Sequence, residues 1–109
     1  ERNYKIDEAT EMLEKAYLKN NNDPYILDSI GWAYYLTGNF LNAEKLLNKA
    51  IQIMPDDPVV NDHYADILWK LDRKIQARYF WKNVLGLEET ENDLKLKIKY
   101  KIINGPDSI

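Results

Sequence analysis

The sequence predicts an all-α fold, a solenoid of antiparallel helix pairs, and three observations carry that prediction. Residues recur at a spacing of 34: Pro24 with Pro58, Asp28 with Asp62, and Gly31 with Ala65. Apolar series share the same register: Ala9, Ala43 and Ala77; Met12, Leu46 and Phe80; Leu13, Leu47 and Trp81; Ala16, Ala50 and Val84; Tyr17, Ile51 and Leu85. Within each period the apolar residues follow helical spacing, broken at fixed places by Pro, Gly, Asn and Asp.

Residues 2–19 match only the second helix of a period, so the chain enters mid-repeat. With Glu1 in place of a Met, this suggests a piece of a longer chain, the alternative being a natural short protein. In the next segment Pro24 suits a first helical turn and Asp23 an N-cap. Ile26, Ile30, Ala33 and Tyr34 then form one apolar stripe. Thr37-Gly38-Asn39 ends that helix, and Ala43, Leu46, Leu47, Ala50 and Ile51 define its partner. Small residues at Gly31, Ala43 and Ala50 let the two backbones approach closely. Met54-Pro55-Asp56-Asp57-Pro58 closes this repeat (24–57) and opens a more divergent one (58–91), in which Asp72 stands where a turn glycine is expected.

The stretch LKLKIKYKI alternates like a strand, but the register favours a helix. Leu94, Ile98 and Ile102 align with Ile26, Ile30 and Tyr34. Lys99 falls at the place of Gly31 and Ala65, and Lys101 at that of Ala33 and Ile67, which reads as a solvated face receiving no further helix. The segment 92–104 is therefore expected to be a C-terminal capping helix ending at Asn104-Gly105-Pro106. All of this forms one domain over 1–109.

Within DSIGWAYYLTGNFLNAEKLLNKAIQIMPDD, the residues Leu27, Gly31, Tyr34, Ala43, Leu47, Ala50 and Pro55 resemble the motif of the tetratricopeptide repeat, with Leu27 in place of the usual Trp. The second repeat departs further, with Ala65 for the Gly, Leu68 for the Tyr, Trp81 for the Phe and Glu89 for the Pro. The wording also looks like repeats of bacterial multi-repeat proteins. The resemblance implies a right-handed α-solenoid whose first helices line a concave groove for a protein or peptide partner. Carried over residue by residue, the groove positions are Tyr25, Asp28, Ser29, Trp32, Tyr35 and Leu36, then Val59, Asp62, His63, Asp66, Trp69 and Lys70. These positions also lie off the stripe that meets the paired helix. Trp32 and Trp69 admit two readings, as binding anchors or as packing against neighbouring helices.

Asp28, Asp62 and Asp66 face Lys70 as the lone cation of this set, so a partner's carboxylate is disfavoured. Apolar or aromatic anchors with one or two basic residues fit better. The expected function is a non-catalytic interaction scaffold. The alternative is a self-associating or structural module within a larger envelope-associated bacterial protein, with a possible homo-oligomer through the exposed first helix.

Composition narrows the remaining classes. The 109 residues are 45% apolar and 30% charged, a globular balance, with no Cys and one His. That leaves no disulfide or thiolate site and too few ligands for zinc, and no cofactor is expected. Net charge is −3, poor for nucleic acid, and no apolar run is long enough to span a membrane. The average hides two opposites, −6 over residues 1–93 and +3 over 94–109. Ser29 with His63, Asp62 and Asp66 superficially resembles a catalytic triad, but packed helix axes lie about 8–10 Å apart and no oxyanion turn surrounds Ser29. Asp62, His63 and Asp66 invite at most adventitious metal. The lysines at 95, 97, 99 and 101 read as a solvated face, and Lys70, Arg73, Lys74 and Arg78 lack the aromatic interleaving of a nucleic-acid site. The compartment is left open, cytoplasmic or envelope-associated.

Overall fold

The computed structural model describes residues 11–12, 14–19 and 22–106. Five helices follow in chain order: α1 (Pro24–Leu36), α2 (Phe40–Ile53), α3 (Pro58–Lys70), α4 (Lys74–Leu85) and α5 (Asn92–Asn104). Upstream, residues 14–19 are helical, and Tyr17 packs against the core. Residues 11–12 are helical as well, and the other positions of the expected half-repeat at 2–19 lie outside the described residues. The closest packing joins α1 with α2 and α3 with α4, while α2 also packs on α3 and α4 on α5. No strand occurs among the described residues, so the alternating segment near the C-terminus is helical.

Local chemistry sets the helix starts. Asp23 accepts hydrogen bonds from the Tyr25 and Ile26 amides at 2.9 and 3.4 Å, satisfying two donors that the first turn leaves without a helical partner. Asp57 does the same for Val60 N at 2.9 Å, one period later. Each cap is followed by a proline in the first turn, where a missing N–H costs no helical bond.

The turn between α1 and α2 relies on Gly38 at φ 85°, and Asn39 N donates to Tyr34 O at 2.8 Å. Asp72 holds the equivalent place with φ 62°, and Arg73 N donates to Leu68 O at 2.9 Å. The turn geometry thus survives the loss of glycine, because a short polar side chain tolerates the left-handed region better than most. Gly31 has a different reason to lack a side chain. A Cβ there would collide with Leu47 Cδ2 of α2, so the close α1–α2 contact depends on it.

The core runs continuously from Leu27, Leu47 and Ala50 through Val60, Ala65 and Leu68 to Trp81, Val84 and Ile98. Polar groups inside it are paired. Asn61 is fully buried, donating to Pro55 O and Asp57 O at 2.9 and 2.8 Å and accepting from Asn83 Nδ2 at 3.1 Å. It thereby ties the turn between the repeats to both helices of the second. Thr90 Oγ1 performs the matching task in the next turn, donating to Val84 O at 2.7 Å.

Candidate partner-binding face

Because α1–α2 and α3–α4 are antiparallel pairs in series, the first helices α1, α3 and α5 stand side by side. Two seams separate them. At the α1/α3 seam, His63 Nδ1 donates to Asp28 Oδ1 at 2.8 Å. The His63 ring stacks on Trp32, with centroids 4.0 Å apart and planes 19° from parallel, and Trp32 stacks in turn on Tyr35 at 4.5 Å. Tyr35 meets Phe40 at 5.6 Å. The stack leaves Trp32, Tyr35 and His63 half-buried, each with an edge toward solvent. Burial first, then the charges of Asp66 and Asp62, pushes the Tyr35 hydroxyl up to about 12, so it remains a donor across the physiological range.

At the α3/α5 seam the corresponding carboxylates are occupied. Lys101 Nζ lies 2.9 Å from Asp62 Oδ1 and 3.1 Å from both Asp66 oxygens, and Trp81 Nε1 donates to Asp62 Oδ1 at 3.1 Å. Asp62 and Asp66 are both buried. Two acids share one lysine here, and the consequences differ by residue. For Lys101, burial works against the charge, but Asp62 and Asp66 outweigh it and hold its pKa above the usual lysine value. For Asp66, burial and then the Asp62 charge outweigh Lys101, raising its carboxyl to about 6.

These contacts correct three sequence expectations. Lys101 does not belong to a solvated outer face, since its side chain turns inward onto α3. Asp62 and Asp66 are not open to a partner, because both are buried and share the chain's own Lys101. Trp69 is not a free anchor either. It lies 5.6 Å from Trp81, with Lys74 and Arg78 over its ring at 5.0 and 5.1 Å and Gly105 pressed against its indole. Arg78 also donates to Ile102 O at 2.9 Å, so part of the basic cluster fastens α5. A usable sign of the Lys101 contact lies in the register: its partners Ala33 and Ile67 are both apolar, and both are buried.

Of the other expected residues, Asp28 is held by His63 with 16% of its side chain exposed, and five lie open to solvent. Tyr25 is 65% exposed and Val59 48%, at equivalent places near the starts of α1 and α3. Ser29, Leu36 and Lys70 are exposed, and His63 Nδ1 is engaged by Asp28 rather than by Ser29. Beside Val59 opens a cleft of about 370 Å³ lined by Asp57, Glu89, Glu91, Asp93, Leu94 and Lys97. Sequence reasoning missed this cleft because its acids come from an N-cap, an inter-repeat turn and the start of α5, which only the fold brings together. Among the described residues no helix is long and apolar enough to cross a membrane.

Helix pairs in series, with a continuous face of first helices, define the class as an α-solenoid. The family model of the tetratricopeptide repeat matches residues 24–57, which are α1, the turn and α2 with the following loop. TPR repeat-containing protein PA4667 of Pseudomonas aeruginosa is 42% identical over 59 residues, which is 54% of this chain and 10% of that protein. The chain thus matches only about a tenth of that relative's length. Among solved structures, the first TPR of Spaghetti (RPAP3) bound to HSP90 peptide SRMEEVD superposes with a TM-score of 0.77 at 19% identity, covering 91% of this chain and 79% of the other. Residues 24–57 thus match a tetratricopeptide repeat, and the fold is similar to that of a solved tetratricopeptide-repeat domain.

Proposed function

We propose that this chain is a non-catalytic protein-interaction scaffold whose first-helix face takes a partner segment with apolar or aromatic anchors and basic residues. The observation that carries this reading is the juxtaposition of Val59 with the acidic cleft. Val59 shares the cleft's lining with Asp57, Glu89, Glu91 and Asp93 and with one cation, Lys97. Tyr25 and the Trp32–His63 stack extend the same face toward α1. Aromatic surfaces with restricted side-chain freedom bind with little ordering cost, which favours them as contact points. The cleft's excess of carboxylates supplies charge-assisted acceptors for Lys or Arg.

The structural neighbour's peptide, SRMEEVD, carries three acids and one base. Facing Asp57, Glu89, Glu91 and Asp93 it meets like charge, so the ligand of that neighbour does not transfer to this chain. The test compares SRMEEVD with a peptide of equal length carrying leucine, tyrosine and two lysines, titrated by calorimetry at low salt. The basic peptide is expected to bind at least about tenfold more tightly, a difference of about 1.4 kcal/mol. Equal affinity, or preference for the acidic peptide, would overturn the charge assignment.

A further inference from the structure

One side of α5 carries an apolar stripe at the register positions that belong to the groove set on α1 and α3. Leu96, Tyr100 and Ile103 are 68%, 56% and 75% exposed. Their spacing, i, i+4 and i+7, sets them on one side of the helix, opposite Ile98, which is buried, and Leu94 and Ile102, which pack on the core. The 34-residue register gives that side its meaning. Leu96, Tyr100 and Ile103 correspond to Asp62, Asp66 and Trp69 of α3, and to Asp28, Trp32 and Tyr35 of α1. On α1 this side is covered by α3, through His63 on Asp28 and Trp32. On α3 it is covered by α5, through Lys101 on both acids and Gly105 on Trp69. On α5 nothing among the described residues covers it, and the chemistry changes from acidic and aromatic to apolar.

The borders of the stripe are basic. Lys99 flanks one edge with Lys95 beyond it, and Lys97, which also lines the cleft beside Val59, flanks the other next to Asp93; Lys97 and Lys99 are exposed. We infer that α5 is a docking position, which receives an amphipathic helix of a partner protein, apolar along one side and bordered by Glu or Asp. An apolar stripe seats against Leu96, Tyr100 and Ile103 in the place where each earlier first helix receives its successor. Acidic borders complement Lys97 and Lys99, fix the register and disfavour basic helices. A basic or neutral occupant gains the apolar contact but not the charge pairing.

The test uses the whole 109-residue chain and a helix-stabilised, fluorescein-labelled peptide with leucines at i, i+4 and i+7 bordered by glutamates. Fluorescence polarisation is expected to show saturable binding that weakens with salt. The same peptide with lysine borders is expected to bind about tenfold or more weakly. Leu96→Glu with Ile103→Glu abolishes binding while leaving helicity by circular dichroism unchanged, because both side chains are already in solvent. Lys97→Glu with Lys99→Glu keeps the stripe and loses the glutamate-bordered peptide. A Val59→Ala variant binds this peptide as the wild type does, which separates the α5 site from the groove. Equal affinity for the two peptides, or unchanged binding by either double variant, overturns the inference. So does a concentration-dependent dimer of the chain alone in sedimentation that Leu96→Glu with Ile103→Glu removes, since the occupant would then be a second copy.

Discussion

The two seams between neighbouring first helices occupy the same register yet use different physics. Between α1 and α3, one carboxylate meets one imidazole, and the contact is completed by flat rings: Asp28 holds His63, and His63 lies on Trp32. Between α3 and α5, two carboxylates converge on a single ammonium group, with the Trp81 indole as an added donor. The first seam is balanced, half-open and aromatic. The second is closed and carries more acid than base. A solenoid repeats its backbone geometry more faithfully than its side-chain chemistry, so one register position serves as accessible surface in one repeat and as an internal ion cluster in the next. That difference moves the candidate binding face toward α1 and the start of α3.

The largest effect should come from removing the cation of the closed seam. Lys101→Met leaves Asp62 and Asp66 buried without a counter-charge, and losing one partner of a buried ion pair costs about 3–5 kcal/mol. Urea denaturation at pH 7 should show a loss near 3 kcal/mol with α5 loosened first. A loss below about 1 kcal/mol would mean that Lys101 is a surface residue after all.

Removing the surplus acid should do the opposite. Burial raises the Asp66 carboxyl to about 6 in the folded chain from its ordinary 3.8, so the folded state binds that proton more tightly. Between those values the folded chain holds more protons than the unfolded one, and the group's contribution to stability falls as pH rises. Asp66→Asn mimics the protonated form at every pH. The variant should match the wild type near pH 4 and exceed it by about 1–2 kcal/mol at pH 7, with the gap opening between pH 4 and 6. Thermal melts across that range measure it, and a gap independent of pH would contradict the assignment.

The balanced seam should yield the smallest change. His63→Phe keeps the ring on Trp32 and gives up the bond to Asp28, whose side chain keeps 16% of its surface in solvent. One hydrogen bond is worth about 1 kcal/mol net, so denaturation should shift by that much or less. A loss comparable to that of Lys101→Met would erase the distinction between the seams.

Much of this architecture could be read in the sequence because its determinants are local. Asp23-Pro24 and Asp57-Pro58 mark helix starts through bonds that span three residues at most. Gly31 is legible because only a missing side chain allows α1 to meet Leu47. The placement of the C-terminal helix followed from register, against a pattern that alternates like a strand. The site was less legible, since its chemistry depends on contacts between helices. Asp62 and Asp66 look like groove acids until a lysine 35 and 39 residues away reaches them. Asn61 replaces Leu27 in register, and nothing local announces that two turn carbonyls await its amide. The acidic cleft beside Val59 gathers residues from three segments, so no single stretch of sequence displays it.

Partner binding is expected to use the open seam and the cleft next to Val59, and to leave the closed seam intact. Nitrogen-15 NMR of the chain, titrated with the leucine, tyrosine and lysine peptide, tests this directly. The expected result is that the amides of Tyr25, Ser29 and Val59 and the Trp32 indole shift together, while the Trp81 indole, bonded to Asp62, stays in place. Shifts centred on Trp81 and Lys101, with Tyr25 and Val59 unmoved, would contradict it.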